Sequence, residues 1–266
     1  MARRRQVDGG GRYRGKVVVV SGASAGLGRR VALDLASAGA VVTAVARRRD
    51  ALDEVAEELR RRSDESAAVV CDVADSGAWA EVLHEVEKSR GRVDVLVNNA
   101  GHDPGVRLAE MTMADVRRTV EVNFFAAVAG TLAVLPGMIE RESGIVVNVS
   151  SDGGRLPSPG PGAYPASKAA LSAFTESVSF RAERRGVRLH VVYPAWMPTA
   201  MGRDALGRGL RAPPRLTRRT EDEVARLMLE KMGGRSLEIS ASRLIDAASV
   251  FRAVCPRTYH RLRRSW

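Results

Sequence analysis

Tyr164 and Lys168, in the segment AYPASK, have the residue types and the spacing for proton transfer. Residues four apart share one face of a helix, so an ammonium group would lie beside a phenol. A phenol has a reference pKa of about 10 and is a weak acid at neutral pH. A neighbouring positive charge favours phenolate and lowers that pKa, so the tyrosine could protonate an alkoxide and reverse the step. On its own, however, such a pair more often lies on an exposed surface.

Ser151 and Asn123 extend this candidate constellation. Ser151 ends the apolar segment GIVVNVSS, thirteen residues before Tyr164. A serine hydroxyl in that place could donate a hydrogen bond to a carbonyl oxygen, as an oxyanion-hole group does. Asn123 lies in an otherwise apolar segment, where an amide needs a partner. The structural alternative for Asn123 is a satisfied amide inside a helix.

The segment VVVVSGASAGLG runs from four valines into residues that are, apart from Leu27, glycine, alanine or serine. It predicts the turn from a first strand into a first helix. The unpaired N–H groups and positive dipole end of that helix can bind a diphosphate where side chains do not intervene. Gly22, Gly26 and Gly28 therefore indicate a dinucleotide site, with Ser24 in the same turn. Tight packing would also require glycine, and the spacing GxxxGxG differs from the commoner GxGxxG.

Short apolar segments alternate with amphipathic segments of helical length along the chain. The strand candidates are residues 17–20, 41–46, 67–73, 93–98, 145–150, 187–193 and 237–239. The helix candidates are residues 27–38, 50–62, 78–89, 113–141, 164–185 and 221–232. Unalternating strands separated by helices predict an α/β fold, a Rossmann-like doubly wound parallel sheet covered on both faces. Residues 199–219 are expected to form a long irregular lid or binding loop.

We expect a single domain with basic terminal tails, because 266 residues are ordinary for one α/β domain. Residues 1–16 hold six basic side chains against one acidic one, and residues 243–266 hold six arginines against one aspartate. The net charge of +11 is therefore concentrated at the two ends. The expected organisation is a flexible basic segment (1–15), the α/β domain (16–242) and an amphipathic basic tail (243–266). A basic face on the domain is not indicated, so we expect no nucleic-acid partner.

Other features exclude further classes of protein. Cys71 and Cys255 lie far apart, which argues against a disulfide framework and fits a reducing cytoplasm. The four histidines are scattered without metal-ligand spacing, so no metal is expected. The longest apolar stretch, residues 124–139, is short for a membrane span and contains a proline, which favours a buried helix. The N-terminal arginines lack a following apolar segment of a secretory signal.

Taken together, these motifs resemble the short-chain dehydrogenase/reductase family from residue 16 to about residue 201. The motifs that carry the resemblance are SGASAGLG, CDV, NNAG, EVNFF with Asn123, Ser151, YPASK and YPAWMPT, in this order. The resemblance implies an NAD(P)-dependent oxidoreductase with a catalytic tetrad of Asn123, Ser151, Tyr164 and Lys168. It further implies that Lys168 also bonds the nicotinamide ribose and that Asn123 holds a water linking Lys168 to solvent.

The cofactor site is expected at the carboxyl edge of the sheet, where ligands of open α/β sheets bind. The residues assigned to it are Gly22, Ser24, Gly26, Leu27, Gly28, Asp72, Val73, Asn99, Ala100, Gly101, Tyr164, Lys168, Pro194 and Thr199. NAD-binding sheets place an acid at the end of the second strand, but this chain has Ala46 followed by Arg47 and Arg48. An arginine binds a phosphate through paired charge-assisted hydrogen bonds, so we predict NADP(H) as the cofactor, with Arg47 on its 2′-phosphate. The alternative is that these arginines only begin a helix.

Two departures from the family pattern qualify the resemblance. Pro194 is followed by Ala195 where the family usually has glycine, which would stiffen the loop beside the nicotinamide. The glycine-rich C-terminal strand motif of tetrameric members is replaced by the basic tail, so a homodimer is expected instead of a tetramer.

The substrate class is the least determined feature. We expect reduction of a ketone or aldehyde to an alcohol, or the reverse, on a lipophilic or acyl-type small molecule. The alternative is a non-catalytic NADP(H)-binding sensor or partner-holding protein, which would need the glycine-rich turn but not both Tyr164 and Lys168. Six arginines in residues 199–219 could attract an acidic substrate or the acidic face of an acyl carrier protein, or form a solvated lid. Residues 243–254 place apolar side chains on one helical face, so the tail could lie on an anionic membrane; packing of this helix on the domain is favoured.

Overall fold

The structure, a computed structural model, describes residues 11–157, 160, 162–207 and 213–264. The strands in this part of the chain are β1 (Val17–Ser21), β2 (Val41–Ala46), β3 (Ala67–Val70), β4 (Val95–Asn98), β5 (Gly144–Val149), β6 (Val187–Tyr193) and β7 (Glu238–Ser240). They form one parallel sheet in the order β3-β2-β1-β4-β5-β6-β7. The predicted Rossmann-like, doubly wound parallel sheet is therefore confirmed.

The helices that connect these strands follow the order expected for an α/β fold. They are α1 (Gly26–Ser37), α2 (Arg49–Arg60), α3 (Ser76–Arg90), α4 (Met113–Val120), α5 (Ala126–Glu140), α6 (Asp152–Arg155), α7 (Ala163–Ala182), α8 (Ala200–Gly207), α9 (Glu221–Lys231), α10 (Arg243–Val254) and α11 (Pro256–Arg264). A π-helical turn, Glu121–Phe125, joins α4 to α5. Helices α4 and α9 each begin with a capping box, in which the N-cap threonine and an acidic residue satisfy each other's backbone N–H.

The valines of β1 show why both faces of the sheet are covered. Val18 and Val20 pack into the core on one face, whereas Val17 and Val19 pack into a second core on the opposite face. The first core contains apolar side chains of α1 and α9, and the second contains those of α3 and α5. Central strands such as β1 and β4 therefore bury both sets of their alternating side chains, which explains their unalternating apolar sequence.

The strand order reverses between β1 and β4. The chain runs from β1 outward to β3 and then returns to the other side of β1, from where it continues to β7. The connections after β1 and β4 therefore lead away in opposite directions and open a cleft at the carboxyl edge of the sheet. The glycine-rich turn and the NNAG motif both lie at this edge.

Several predicted boundaries differ from the structure. Strand β3 ends at Val70, so the CDV motif lies beyond it, and β7 begins one residue later than expected. The single helix expected over 113–141 is interrupted by the π-helical turn that contains Asn123. The loop expected over 199–219 is partly helical, because α8 and a 3-10 turn at Arg215–Thr217 lie within it; residues 208–212 of that loop lie outside the described residues.

The terminal segments are more closely attached to the domain than expected. Residues 1–10 lie outside the described residues, but Tyr13 is only 2% exposed and its hydroxyl donates a hydrogen bond to the Leu229 carbonyl at 2.7 Å. Arg12 donates to the Met232 carbonyl at 3.1 Å. The expectation of a flexible segment through residue 15 is therefore wrong for these two residues, which dock against α9. Residues 243–264 form α10 and α11.

One continuous helical stretch of the described residues, Met113–Glu140, is long and apolar enough to cross a membrane by length and composition alone. In the structure its α5 portion packs against β4, β5, α3 and α7. Residues such as Val134 and Met138 are fully buried there. This arrangement agrees with the prediction of a buried helix.

Candidate active site

Two helices that begin near the carboxyl end of β5 carry Ser151, Tyr164 and Lys168. Ser151 follows β5 and is the N-cap of α6, where its Oγ accepts a hydrogen bond from the Gly153 N–H at 3.1 Å. Tyr164 and Lys168 lie in the first two turns of α7, and the Lys168 Nζ is 6.0 Å from the centre of the Tyr164 ring. The Ser151 hydroxyl lies near enough to the Tyr164 phenol to lower the pKa of that phenol. The structure thus brings these three predicted residues together.

Lys168 is deeply buried beneath the site. It is 3% exposed, and its Nζ donates to the Val149 carbonyl, at the end of β5, at 2.8 Å. Because burial penalises the charged form, the pKa of Lys168 falls to about 8. The ammonium form still predominates at pH 7.

Burial also has the largest effect on the pKa of Tyr164. Removal of the phenol from water raises its pKa above the usual value, and the influence of the nearby Ser151 hydroxyl lowers it only in part. The expected net lowering of the Tyr164 pKa is therefore wrong for this structure. Lys168 is buried and Tyr164 is partly buried, and the charged form of each would gain from the charged form of the other.

Asn123 is fully buried within the π-helical turn. Its Oδ1 accepts from the His102 backbone N–H at 2.7 Å, and its Nδ2 donates to the His102 carbonyl at 2.8 Å and to Ser167 Oγ at 3.0 Å. A Cβ added at Gly101 would lie 3.6 Å from Asn123 Oδ1 and 3.8 Å from Lys168 Nζ, so both side chains border the same point. The amide is satisfied by protein groups, as its structural alternative required, and it fixes the loop after NNAG.

The glycines of the first turn lie against different neighbouring residues. A Cβ added at Gly28 would lie 2.3 Å from Asn99 Nδ2, and one added at Gly22 would lie 2.7 Å from the Cα of Ala100. Gly22 and Gly28 are therefore required by packing between the turn and the NNAG segment. Gly26 has φ +54°, and a Cβ there would approach the Thr199 side chain at 3.4 Å.

Polar side chains that the sequence reasoning missed hold the strand ends in register. Ser21 Oγ accepts from the backbone N–H groups of Asn99 and Ala100 at 3.0 and 3.2 Å. In the core, Asn98 Nδ2 donates to Asn148 Oδ1 at 2.8 Å, and Asn148 Nδ2 donates to Thr175 of α7 at 2.9 Å. This network links β4, β5 and α7, the elements that carry NNAG, Ser151 and the Tyr164–Lys168 pair.

Arg47 and Arg48 are exposed beyond the end of β2, as expected from the sequence. Arg47 Nη1 lies 4.0 Å from Asp72 Oδ2, and Arg118 of α4 donates to the same oxygen at 2.8 Å. Partial burial raises the pKa of Asp72, but hydrogen bonds from Arg118 and the Ala74 N–H and the charge of Arg47 bring it below its usual value. Asp72 and Arg47 thus lie together at the edge of the cleft, whereas Leu27 and Val73 point into the core.

The loop after β6 closes the other side of the cleft. Pro194 is buried, and Ala195 adopts φ +64°, a left-handed conformation that favours glycine. Thr199 Oγ1 accepts from the Gly202 N–H at 3.2 Å in the first turn of α8. Thr199 therefore begins α8 and faces Gly26 across the cleft. Ser24 is partly buried in the turn beside Gly26.

Arg155 connects the Ser151 helix to the C-terminal helices. Its guanidinium lies 3.6 Å from the centre of the Tyr193 ring, 3.3 Å from Asp152 Oδ1 and 2.9 Å from Asp246 Oδ1. The side chain is only 12% exposed. Its place next to the Ser151 turn was the only signal in the sequence, because its partners come from distant segments.

Comparison with known proteins supports the resemblance to the short-chain dehydrogenase/reductase family. A family model described as short chain dehydrogenase matches residues 16–207. Dehydrogenase/reductase SDR family member 7B of Mus musculus is 33% identical over 263 residues, which cover 95% of this chain and 81% of that protein.

Two solved structures have the same fold. A short-chain dehydrogenase from Streptomyces avermitilis has a TM-score of 0.76 and 30% identity, covering 92% of this chain and 94% of that one. An actinorhodin polyketide ketoreductase solved with NADPH has a TM-score of 0.78 and 28% identity, covering 86% of this chain and 96% of that one. The chain therefore belongs to the short-chain dehydrogenase/reductase family and is an oxidoreductase of that family.

Proposed function

We propose that the protein is an NADP(H)-dependent oxidoreductase that reduces a ketone or aldehyde to an alcohol, or catalyses the reverse reaction. The observation that carries the proposal is the grouping of Ser151, Tyr164 and Lys168 at the carboxyl edge of the sheet, with the ammonium 3% exposed beneath the phenol. A protein that only senses a dinucleotide has no use for a desolvated acid–base pair. The alternative of a non-catalytic NADP(H)-binding protein predicts binding without turnover.

In the proposed reaction, Ser151, Tyr164 and Lys168 each have a separate role. The Ser151 hydroxyl donates a hydrogen bond to the substrate carbonyl oxygen and holds it next to the Tyr164 hydroxyl. The bound cofactor supplies the hydride. Tyr164 gives its proton to the substrate oxygen as charge develops there, and the positive charge of Lys168 stabilises the phenolate that remains. The reverse reaction uses the same phenolate as the base.

The residues at the cleft fit a dinucleotide. Helix α1 begins at Gly26 without a side-chain cap, so the N–H groups of its first turn can receive a diphosphate. An ammonium group has three N–H donors, and the Val149 carbonyl accepts one from Lys168. The other two donors can bind ribose hydroxyls. In this proposal Asn123 also holds a water near Lys168, through the second lone pair of its Oδ1.

Arg47 is proposed to bind the 2′-phosphate that distinguishes NADPH from NADH. Its guanidinium is 65% exposed at the cleft edge, and buried Ala46 supplies no carboxylate to repel a phosphate. Arg48 and Ser24 would assist. Isothermal titration should show NADPH binding at least about tenfold more tightly than NADH, equivalent to roughly 1.4 kcal/mol. The double variant Ala46→Asp, Arg47→Ala should narrow or reverse this difference; equal affinities in the unmutated protein would refute the assignment.

The substrate is proposed to be a lipophilic or acyl-type carbonyl compound. The ketoreductase among the similar structures is named for a polyketide substrate. In this chain, the apolar side chain of Trp196 belongs to the loop that follows β6. Arg218 stacks over Trp196 and donates to the Pro213 carbonyl, which organises the lid. Recruitment of an acyl carrier protein by the lid arginines stays a prediction.

A screen of ketones with NADPH, followed by Tyr164→Phe on any substrate found, tests the enzymatic proposal. Loss of the proton donor should lower turnover by at least about a hundredfold while NADPH affinity stays unchanged. If Tyr164→Phe retained roughly a tenth of the turnover, the role assigned to Tyr164 would be wrong.

A homodimer is the proposed assembly. Phe125, Leu132 and Phe180 are exposed on the π-helical turn, α5 and α7, at 47%, 58% and 66%. Exposed apolar side chains on neighbouring helices are typical of an interface. Light scattering should give twice the mass of one chain, and the double variant Leu132→Glu, Phe180→Glu should halve that mass. A monomer before mutation would contradict the proposal.

A further inference from the structure

Helix α10 contacts the domain through its polar side. Asp246 Oδ1 lies 2.9 Å from the Arg155 guanidinium and accepts from Ser240 Oγ at 2.6 Å. Arg252 donates to the Arg155 carbonyl at 2.7 Å. An amphipathic helix on a globular domain normally buries its apolar stripe and turns its polar side to water. Here the polar side makes these contacts, so the helix lies on the domain with that side inward.

The apolar side of α10 faces outward. The outer stripe consists of Leu244, Ala247, Val250, Phe251 and Val254. The four larger side chains are exposed at 54%, 62%, 39% and 73% in chain order. Their positions recur at helical spacing, so they form one contiguous surface beside the polar contacts. Contiguous exposed apolar surface of this kind marks a binding face.

Helix α11 follows α10 after one residue, contacts it and adds positive charge to the same terminal region. Its sequence, PRTYHRLRR, contains four arginines and no acidic residue, and Arg257 and Arg261 are exposed. The one acidic residue of residues 243–266, Asp246, is engaged by Arg155. A second copy of this chain would bring the same positive charge to the interface, so self-association through this face is disfavoured. An anionic surface complements both features.

We propose that α10 and α11 bind the surface of an anionic lipid bilayer. The outer stripe enters the boundary between headgroups and acyl chains, and Arg257 and Arg261 of α11 contact lipid phosphates. The proposal is independent of the proposed catalytic function, because it depends only on the surface of residues 243–264.

Co-sedimentation of the full chain with vesicles tests the proposal. Vesicles of phosphatidylcholine with about one-third phosphatidylglycerol should bind at least about tenfold more strongly than vesicles of phosphatidylcholine alone, at roughly 0.1 M salt. Raising the salt to about 0.5 M should weaken binding, because surface charges are then screened. Equal or negligible binding to the two kinds of vesicle would overturn the proposal.

Variants separate the two contributions. The double variant Phe251→Ser, Val254→Ser reduces the apolar area of the outer stripe. The double variant Arg257→Glu, Arg261→Glu reverses the charge of two arginines in α11. Each should lower binding to the anionic vesicles by at least about tenfold. Circular dichroism and the melting temperature should stay unchanged, because these side chains are exposed.

Matched controls lie elsewhere on the surface. Leu108→Ser removes an exposed leucine, and Arg184→Glu with Arg185→Glu reverses two exposed arginines beyond α7. Both controls should retain binding. If they lose it as the tail variants do, the attraction is not specific to α10 and α11 and the proposal fails. Self-association that Phe251→Ser abolishes, without vesicle binding, would assign the stripe to a second copy instead.

Discussion

The burial of Lys168 should make the stability of the protein depend on pH in a way that a single substitution removes. Its pKa is about 8 in the folded protein against 10.5 for an ordinary lysine. Below pH 8 both states are protonated, and the folded state bears the full cost of a desolvated charge. Between pH 8 and 10.5 the unfolded state binds more protons, so the free energy of unfolding rises by up to about 1.4 kcal/mol per pH unit.

The variant Lys168→Met lacks this titration. Urea denaturation of both proteins at pH 7 and pH 10 gives the change in their stability difference, which cancels the titration of other groups. From pH 7 to pH 10, the free energy of unfolding of the unmutated protein should rise by roughly 2.5 kcal/mol more than that of the variant, given the two pKa values. Parallel pH profiles would show that the ammonium is not desolvated and would refute the reasoning. Lys168→Arg, which stays charged throughout, should also lack the gain.

Three further predictions concern positions around the site. Ala195→Gly should raise stability by up to about 1 kcal/mol, or about 2–4 °C in melting temperature, because φ +64° strains an alanine; an unchanged or lower melting temperature would contradict the strain. Arg155→Met should lower the free energy of unfolding by on the order of 2 kcal/mol, since it leaves the partly buried Asp152 carboxylate without its partner, and chemical denaturation that shows less than about 1 kcal/mol would refute this. Thr220→Ala should cost about 1 kcal/mol through loss of the α9 capping box, measured in the same way; an unchanged midpoint would argue against the cap.

The sheet was predictable from the sequence because both faces are buried. Strands such as β1 and β5 are then continuous apolar segments, which periodicity and length identify. The ends of elements were harder to predict, since β3 and β7 lie at the sheet edges, where only three or four residues pair. The π-helical turn at Asn123 leaves no sequence period of its own, and it arises in contacts with His102 and Ser167.

The candidate site was predictable where the residues themselves carry the chemistry. Ser151, Tyr164 and Lys168 are brought together as their motifs predict. Gly22 and Gly28 were assigned to the cofactor, but the structure shows that contacts with Asn99 and Ala100 already require them. Which side of α10 faces the domain was not predictable from the apolar residues of the helix. The polar contacts that orient it depend on Arg155, which is distant in sequence.

The central claim, that hydride passes from NADPH to a carbonyl carbon while Tyr164 supplies the proton, is tested most directly by isotope transfer. NADPH that carries deuterium at both C4 positions of the nicotinamide is incubated with the purified protein and a ketone that the screen identifies, and the alcohol is analysed by mass spectrometry. We expect deuterium at the carbinol carbon with the unmutated protein, and its near absence with Tyr164→Phe although NADPH still binds. Binding of NADPH without deuterium in any product, or equal transfer by both proteins, would contradict it.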